Sequence, residues 1–134
     1  MATKKKMLQA AAGQAGGEAL DITDVFSTYL YEGTGSAQTI TNGLDLDGEG
    51  GLVWLKERTS VGGLGWHSLF DTERGTSKYL SSNNTNAEAS SAGVTAFNSN
   101  GFTLGTTGLV NQNTGDFASW TFRKAPKFFD VVTY

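Results

Sequence analysis

Residues 51–83 read GLVWLKERTSVGGLGWHSLFDTERGTSKYLSSN, and this stretch decides the fold that the sequence predicts. It begins with an apolar strand over Gly51–Lys56, passes through a glycine-containing loop and returns as a second strand over Trp66–Asp71. A charged bend follows, and a short strand over Lys78–Leu80 comes after it. Because the first strand lacks polar alternation, we expect it to be covered on both faces.

The same pattern of short strands and turn signals continues on both sides of this stretch. Further strands are predicted over Val25–Tyr31, Gln38–Thr41, Val94–Phe97, Phe102–Leu104 and Phe117–Phe122. The first two form a predicted hairpin, and the dipeptide Asn100–Gly101 predicts another between the third and the fourth. Strands at this spacing, with no long helical pattern between them, indicate an all-β antiparallel sandwich or barrel.

The last predicted strand, over Phe117–Phe122, alternates between two faces. Ala118, Trp120 and Phe122 share the face that is entirely apolar, whereas the opposite face carries a serine and a threonine. We therefore expect the face with Trp120 to lie in the core.

Composition limits the functions that this chain can have. Its 134 residues suffice for one domain, and its net charge of -3 argues against an electrostatic grip on nucleic acid. The absence of cysteine excludes disulfides, thiolate zinc sites and thiol nucleophiles. No stretch approaches the roughly 20 apolar residues of a membrane span, and no cofactor motif occurs.

His67, the single histidine, is the first candidate for chemistry. A general base needs a partner within reach, and the neighbouring Ser68 points to the opposite face of a strand. No second histidine is present to complete a metal site. We interpret His67 as a strand residue.

Asp71 and Glu73 are the second candidate, since paired carboxylates perform glycoside hydrolysis. The structural alternative is a bend in which Asp71 accepts hydrogen bonds from the backbone downstream and Gly75 takes the positive-φ position. Arg74 is a predicted ion-pair partner of Asp71 or Glu57. We favour the bend, and we expect no catalytic residues.

The third candidate is a calcium-binding loop, because carboxylates recur at Asp45, Asp47 and Glu49. An EF-hand loop also needs a bidentate Glu at its twelfth position and flanking helices, and the sequence has neither. We interpret these residues as an acidic turn before a buried strand, and we expect no metal site.

Residues 1–20 differ from the rest of the chain and form a predicted docking arm. Its apolar run is too short for a secretory signal. A short helix over Lys4–Ala12 that ends at Gly13 is the better interpretation, with an extended, solvated tail as the alternative. The residues expected to dock are Lys4, Lys5, Lys6, Met7 and Leu8.

Residues 127–134 form a predicted first strand of a second copy of the domain. The segment KFFDVVTY is similar to the strand VFSTYLY at residues 25–31. The predicted organisation is therefore an arm over 1–20, a β domain over 21–126 and the start of a repeat over 127–134, in a chain that is the front part of a longer protein.

Four segments carry a resemblance to a known family: GLVWLKERT (51–59), LFDTERGTSKYLSSN (69–83), FNSNGFTLG (97–105) and FASWTFRKAPKFFDVVTY (117–134). In this order they resemble a repeated module in virion proteins of tailed bacteriophages, especially those of marine, cyanobacterial hosts. The resemblance implies a β-sandwich of the concanavalin A-like or jelly-roll type in a virion structural protein. Its expected partners are other tail, adaptor or neck proteins of the particle and further copies of itself, as a dimer or trimer.

Three functions follow as hypotheses. The chain is a tail fibre or tail-associated appendage, with a capsid or neck decoration as the variant. Alternatively it is a lectin-like module that binds host-surface glycans, with Trp66, Tyr79 and Asn83 as the candidate sugar contacts. The third, a glycan-degrading enzyme that uses Asp71 and Glu73, is the one we favour least.

Overall fold

The protein folds into two antiparallel sheets, and the all-β prediction is confirmed. The computed structural model describes residues 19–59, 61 and 65–134. The predicted docking residues Lys4, Lys5, Lys6, Met7 and Leu8 lie outside them. The strands are β1 (Phe26–Glu32), β2 (Gln38–Thr41), β3 (Gly51–Glu57), β4 (His67–Asp71), β5 (Lys78–Ser81), β6 (Ala89–Ser90), β7 (Val94–Asn98), β8 (Gly101–Leu104) and β9 (Asp116–Arg123).

Six strands form the larger sheet, in the order β1-β9-β3-β4-β5-β6, and three form the smaller one, in the order β2-β8-β7. The described residues also contain a 3-10 turn at Ile22–Asp24 and one α-helical turn, α1, at Gly108–Asn111. The segment between β5 and β7, where the sequence predicts no strand, contains the two-residue β6, and the segment between β8 and β9, where it predicts no helix, contains α1. Both are too short for periodicity to reveal them.

The core lies between the two sheets and draws on both. Val53, Leu55 and Phe70 of the larger sheet belong to one apolar cluster with Phe102 and Leu104 of the smaller sheet. Burying these side chains supplies the main favourable free energy of folding, about 1.5–3 kcal/mol for each large apolar side chain.

The predicted hairpin of β1 and β2 is wrong, because the two strands belong to different sheets. β1 pairs with β9, and β2 pairs with β8. The buried side chain of Asn111 holds the crossing segment. Its Oδ1 accepts from the Thr34 backbone N–H at 2.9 Å, and its Nδ2 donates to the Ser36 carbonyl at 2.7 Å. The chain thus changes sheets where the sequence predicts a simple turn.

The hairpin predicted around Asn100–Gly101 is confirmed, since β7 pairs with β8. The turn closes at Gly101, whose φ of 152° favours glycine. A β-bulge interrupts the pairing between Val94 and Ala96. β7 is consequently bent at the edge of the smaller sheet.

The prediction for the buried face of β9 is wrong. Phe117, Ser119 and Thr121 are fully buried in the core. On the opposite face, Ala118 is buried, whereas Trp120 and Phe122 are half-buried. The polar side chains on the core side of β9 are hydrogen-bonded: Thr121 Oγ1 accepts from Asn42 Nδ2 at 3.0 Å, and Ser119 Oγ donates to the Tyr29 carbonyl at 3.4 Å.

The prediction that β3 is covered on both faces is also wrong for the described residues. Burial alternates along the strand: Val53 and Leu55 are buried, and Leu52 and Trp54 are half-buried. Trp54 lies opposite Trp120 of β9 on the outer face. The missing alternation in the sequence reflects an apolar outer face and not a second covering layer.

Residues 125–129 form a tight turn after β9. Ala125 and Phe129 form an antiparallel bridge, and the Phe129 ring packs on Phe122 with centroids 5.3 Å apart. Residues 131–134 have no regular secondary structure. That residues 127–134 begin a second copy of the domain stays a prediction.

Candidate functional site

His67 and Ser68 lie on opposite faces of β4, as their positions in the sequence predict. The His67 Nδ1 accepts a hydrogen bond of 2.9 Å from Trp54 Nε1, and the His67 backbone N–H donates to Asn83 Oδ1 at 3.0 Å. Ser68 is fully buried on the inner face. The imidazole therefore orients a tryptophan and has no contact with the serine hydroxyl.

Asp71 and Glu73 take part in separate ion pairs. Asp71, with 1% of its side chain exposed, accepts from the backbone N–H and from the guanidinium of Arg74. Glu73 pairs with Lys124 at 2.9 Å, and this hydrogen bond, together with that of Asp130, raises the pKa of Lys124. Gly75 has a φ of 85°. The predicted bend is confirmed in the hydrogen bond from the downstream backbone to Asp71, in the ion pair of Asp71 with Arg74 and in the positive φ of Gly75.

The acidic turn at 45–49 also contains local structural bonds. Asp45 Oδ1 accepts the Gly48 backbone N–H at 2.8 Å, and Glu49 lies 3.8 Å from Arg123. Among residues 19–59, 61 and 65–134, no group of three or more His, Asp or Glu side chains is arranged to hold a metal ion.

The three candidate sugar contacts occupy different surroundings. Tyr79 packs on Phe70 with ring centroids 5.4 Å apart, against the core. The Asn83 side-chain oxygen is bonded to the His67 backbone. Trp66 is half-buried immediately before β4. Two of the three side chains thus have structural contacts that compete with ligand binding.

The outer face of the six-stranded sheet carries a cluster of aromatic side chains that the sequence did not predict there. We call it the aromatic face and define it by Phe26, Trp54, Trp120 and Phe122. The tryptophan rings lie 5.5 Å apart and the phenylalanine rings 5.0 Å apart. All four side chains are half-buried. Aromatic side chains in this position are typical of contact surfaces, because they bury large areas at low entropic cost.

One signal in the sequence points to this face. Leu52 and Trp54 are apolar residues at outward positions of β3, and Trp120 and Phe122 are their neighbours on β9. Read together, the two strands predict an apolar outer face. Considered one at a time, neither strand shows that its outward residues have apolar neighbours.

β1 forms one edge of the sheet and carries exposed apolar side chains. Leu30 is 63% exposed and Tyr29 39% exposed. Glu32 is the one charged residue of the strand. In contrast, the edge at β6 lies beside an ion-pair network in which Glu88 contacts both Arg74 and Lys78 at 3.2 Å.

These features define a class of protein: an all-β antiparallel domain whose candidate catalytic side chains His67, Asp71 and Glu73 take part in structural contacts, and which carries apolar side chains on the outer face of its larger sheet and on β1. The profile of the family described as "Domain of unknown function (DUF7483)" matches residues 21–128, and the chain belongs to that family. No curated protein and no solved structure matches the chain. Within the part of the chain that the structure describes, no helix has the length and apolar character needed to cross a bilayer.

Proposed function

We propose that this protein is a structural component of a bacteriophage virion, a tail fibre or another tail-associated appendage, and that its N-terminal part anchors it to the particle. The observation that carries the proposal is the contrast between interior and surface. Asp71, Glu73 and His67 are engaged in structural bonds, whereas the aromatic face and β1 present open contact area. A domain with this distribution acts by binding other macromolecules.

The resemblance of four segments to phage virion modules supplies the biological setting. It also supplies the finer description of the fold, a sandwich of the concanavalin A-like or jelly-roll type with an N-terminal docking arm. Assembly into a dimer or trimer is part of the same proposal, because virion appendages are built from symmetric oligomers. A decoration protein of the capsid or neck is the alternative within this same proposal.

Deleting residues 1–17 tests the anchor. The truncated protein should keep its far-ultraviolet circular dichroism spectrum and its unfolding midpoint, because the deletion leaves residues 21–128, which the family model matches, intact. It should be lost from purified particles of the phage that encodes it, measured by quantitative mass spectrometry against a major capsid protein. Incorporation at the level of the full chain would contradict the anchor.

The control for that experiment replaces Lys4, Lys5 and Lys6 by alanine while retaining the chain length. Loss of incorporation in this variant assigns the docking contact to the lysines, and retention assigns it to the apolar part of the arm. Electron microscopy of the intact particle then distinguishes a tail position from a capsid or neck position.

A lectin-like function is the second candidate, and the aromatic face favours it. Trp54 and Trp120 lie side by side, and Lys56 and His67 are opposite each other on the neighbouring strands of that face. Tryptophan rings next to polar donors suit stacking on a sugar ring. A glycan array should then lose its signal with Trp120→Ala and keep it with Trp66→Ala. An array with no hits for the full chain would remove this candidate.

A further inference from the structure

We propose that two copies of this protein associate through β1, so that their six-stranded sheets continue into one sheet across a two-fold axis. This association concerns a surface of the domain itself, and it does not depend on the virion assignment. The partner is a second copy of this chain, and the strand that binds it is β1.

The edges of the two sheets differ in how they resist pairing. β6 has two residues, β2 has four, and β7 contains a bulge. β1 has seven residues in continuous register with β9, without a bulge, proline or lysine. Short strands, bulges, lysines and prolines are the usual protections of an exposed edge. Of the edges in the described chain, β1 is the long one without such protection.

The backbone hydrogen bonds around β1 determine which groups point to its open edge. The Arg123 N–H donates to the Val25 carbonyl at 2.8 Å, and the Gly33 N–H donates to the Gly115 carbonyl at 2.7 Å. Since donors and acceptors alternate in direction along an antiparallel strand, the odd-numbered residues bond to β9. The residues whose N–H and C=O groups point to the open edge are therefore Phe26, Thr28, Leu30 and Glu32. Within the chain, the Glu32 carbonyl already accepts one hydrogen bond, from Gln38 Nε2 at 3.0 Å, and the Thr28 carbonyl lies 3.5 Å from Ser27 Oγ.

A two-fold axis at Tyr29 matches the N–H and C=O groups of these four residues, with the Glu32 carbonyl accepting its second hydrogen bond across the axis. In that register Thr28 lies opposite Leu30 of the second copy, and Phe26 lies opposite Glu32. Each outward residue of one strand faces an outward residue of the other, which gives about eight hydrogen bonds in a regular antiparallel ladder. Shifting the axis to a neighbouring position leaves residues at one end of each strand unmatched.

Charge and side-chain contacts agree with the same register. The Glu32 residues of the two copies lie at opposite ends of the paired strands, so that no like charges face each other. The exposed Leu30 side chains lie beside the axis on the outer face, and Tyr29 pairs with its counterpart on the inner face. Paired aromatic residues are favourable across antiparallel strands. The aromatic face of each copy then continues across the axis.

Analytical ultracentrifugation of the full chain tests the association. The wild type should sediment as a dimer in reversible exchange with monomer. Leu30→Lys should raise the dissociation constant at least about tenfold, because it places lysines at the paired edge. Val132→Lys is the matched control, since Val132 is 70% exposed outside any strand, and it should leave the dissociation constant unchanged.

Thr28→Pro is a second variant, because the Thr28 N–H points to the open edge and proline there removes no bond to β9. It should abolish the dimer. Circular dichroism checks its folding. If it fails to fold, the dissociation constant of Leu30→Lys alone tests the proposal. A monomeric wild type at millimolar concentration, a trimer, or a dimer that Leu30→Lys leaves unchanged would each overturn the proposal.

Single cysteines test the register, since the chain has no native cysteine. At the axis, non-hydrogen-bonded residues have Cα atoms about 4.5 Å apart, within the range of a disulfide. Tyr29→Cys should oxidise to a covalent dimer, whereas Ser27→Cys, displaced along the strand from its counterpart, should not. Equal cross-linking of both variants, or none in Tyr29→Cys, would overturn the register.

Discussion

At one end of the six-stranded sheet, β6 has two residues, and Glu88 just before it is paired with Arg74 and Lys78. At the other end, β1 has seven residues, a single charge and an exposed leucine. Both ends belong to one sheet and expose the same kinds of backbone groups. They differ in length, charge and apolar exposure.

The difference indicates where the protein is available for association. A two-residue strand beside an ion-pair network offers few backbone groups, and an incoming strand would have to displace charged side chains. A long, nearly uncharged strand offers a regular ladder with apolar contacts on both faces. The short, charged β6 edge therefore disfavours pairing with a further strand, whereas the β1 edge permits it.

The largest expected effect comes from breaking the charged end. Arg74→Met removes the guanidinium that pairs with the buried Asp71, and we expect a loss of about 3–5 kcal/mol in the free energy of unfolding, because a buried carboxylate loses its counter-ion. Urea denaturation followed by tryptophan fluorescence measures it. Lys78→Met, which breaks an exposed pair, should cost less than about 1 kcal/mol. Equal losses would mean that Asp71 is not stabilised by Arg74.

A smaller effect is expected from Tyr31, on the inner face at the β1 end. Its hydroxyl donates to the Val110 carbonyl at 2.7 Å, and its ring stacks on Phe117 at 5.2 Å. Tyr31→Phe should cost about 1–2 kcal/mol, because the carbonyl loses its buried partner. Tyr29→Phe, on the exposed part of the same strand, is the control and should be neutral within about 0.5 kcal/mol.

Tyr31 should also make stability depend on alkaline pH. Burial raises the pKa of Tyr31 above its ordinary value of 10.0. The unfolded chain therefore ionises first, so that this residue's contribution to stability is complete below pH 10 and declines as the pH rises above it. Denaturation midpoints at about pH 8 and about pH 11 should converge for wild type and Tyr31→Phe at the higher pH. A constant difference between them would contradict this linkage.

The smallest expected effect concerns the monomer at the β1 end. At concentrations where the wild type is dissociated, Leu30→Lys should change the free energy of unfolding by no more than about 0.5 kcal/mol, since Leu30 is mostly exposed. This measurement separates a change in association from a change in folding. A loss of several kcal/mol would mean that Leu30 belongs to the fold of the single chain.

Strand positions were predictable because alternation and turn residues are local signals. The antiparallel all-β fold, the β7–β8 hairpin and the bend at Asp71 follow from them. The sheet to which β1 and β2 belong does not, because it depends on Asn111, about 75 residues further along the chain. The buried face of β9 was also beyond local signals. The hydroxyls of Ser119 and Thr121 lie inside with hydrogen bonds to Tyr29 and Asn42, which are far from them in the sequence.

For the candidate site, the sequence correctly separated His67 from Ser68 and correctly assigned Asp71 to a bend. It did not predict the aromatic face, because that face requires two strands to be placed side by side. Trp54 and Trp120 become neighbours only through the β3–β9 register. A surface that forms only when two strands pair cannot be predicted from either strand alone.

Amide hydrogen exchange along β1 tests the central claim, that the β1 end is an open edge which a second copy completes. In a monomer, the N–H groups of Ser27, Tyr29 and Tyr31 bond to β9 and exchange slowly, whereas those of Thr28 and Leu30 exchange fast. We predict that protection of Thr28 and Leu30 rises with protein concentration until the alternation disappears. Fast exchange at these two residues at every concentration, with their neighbours protected, would contradict it.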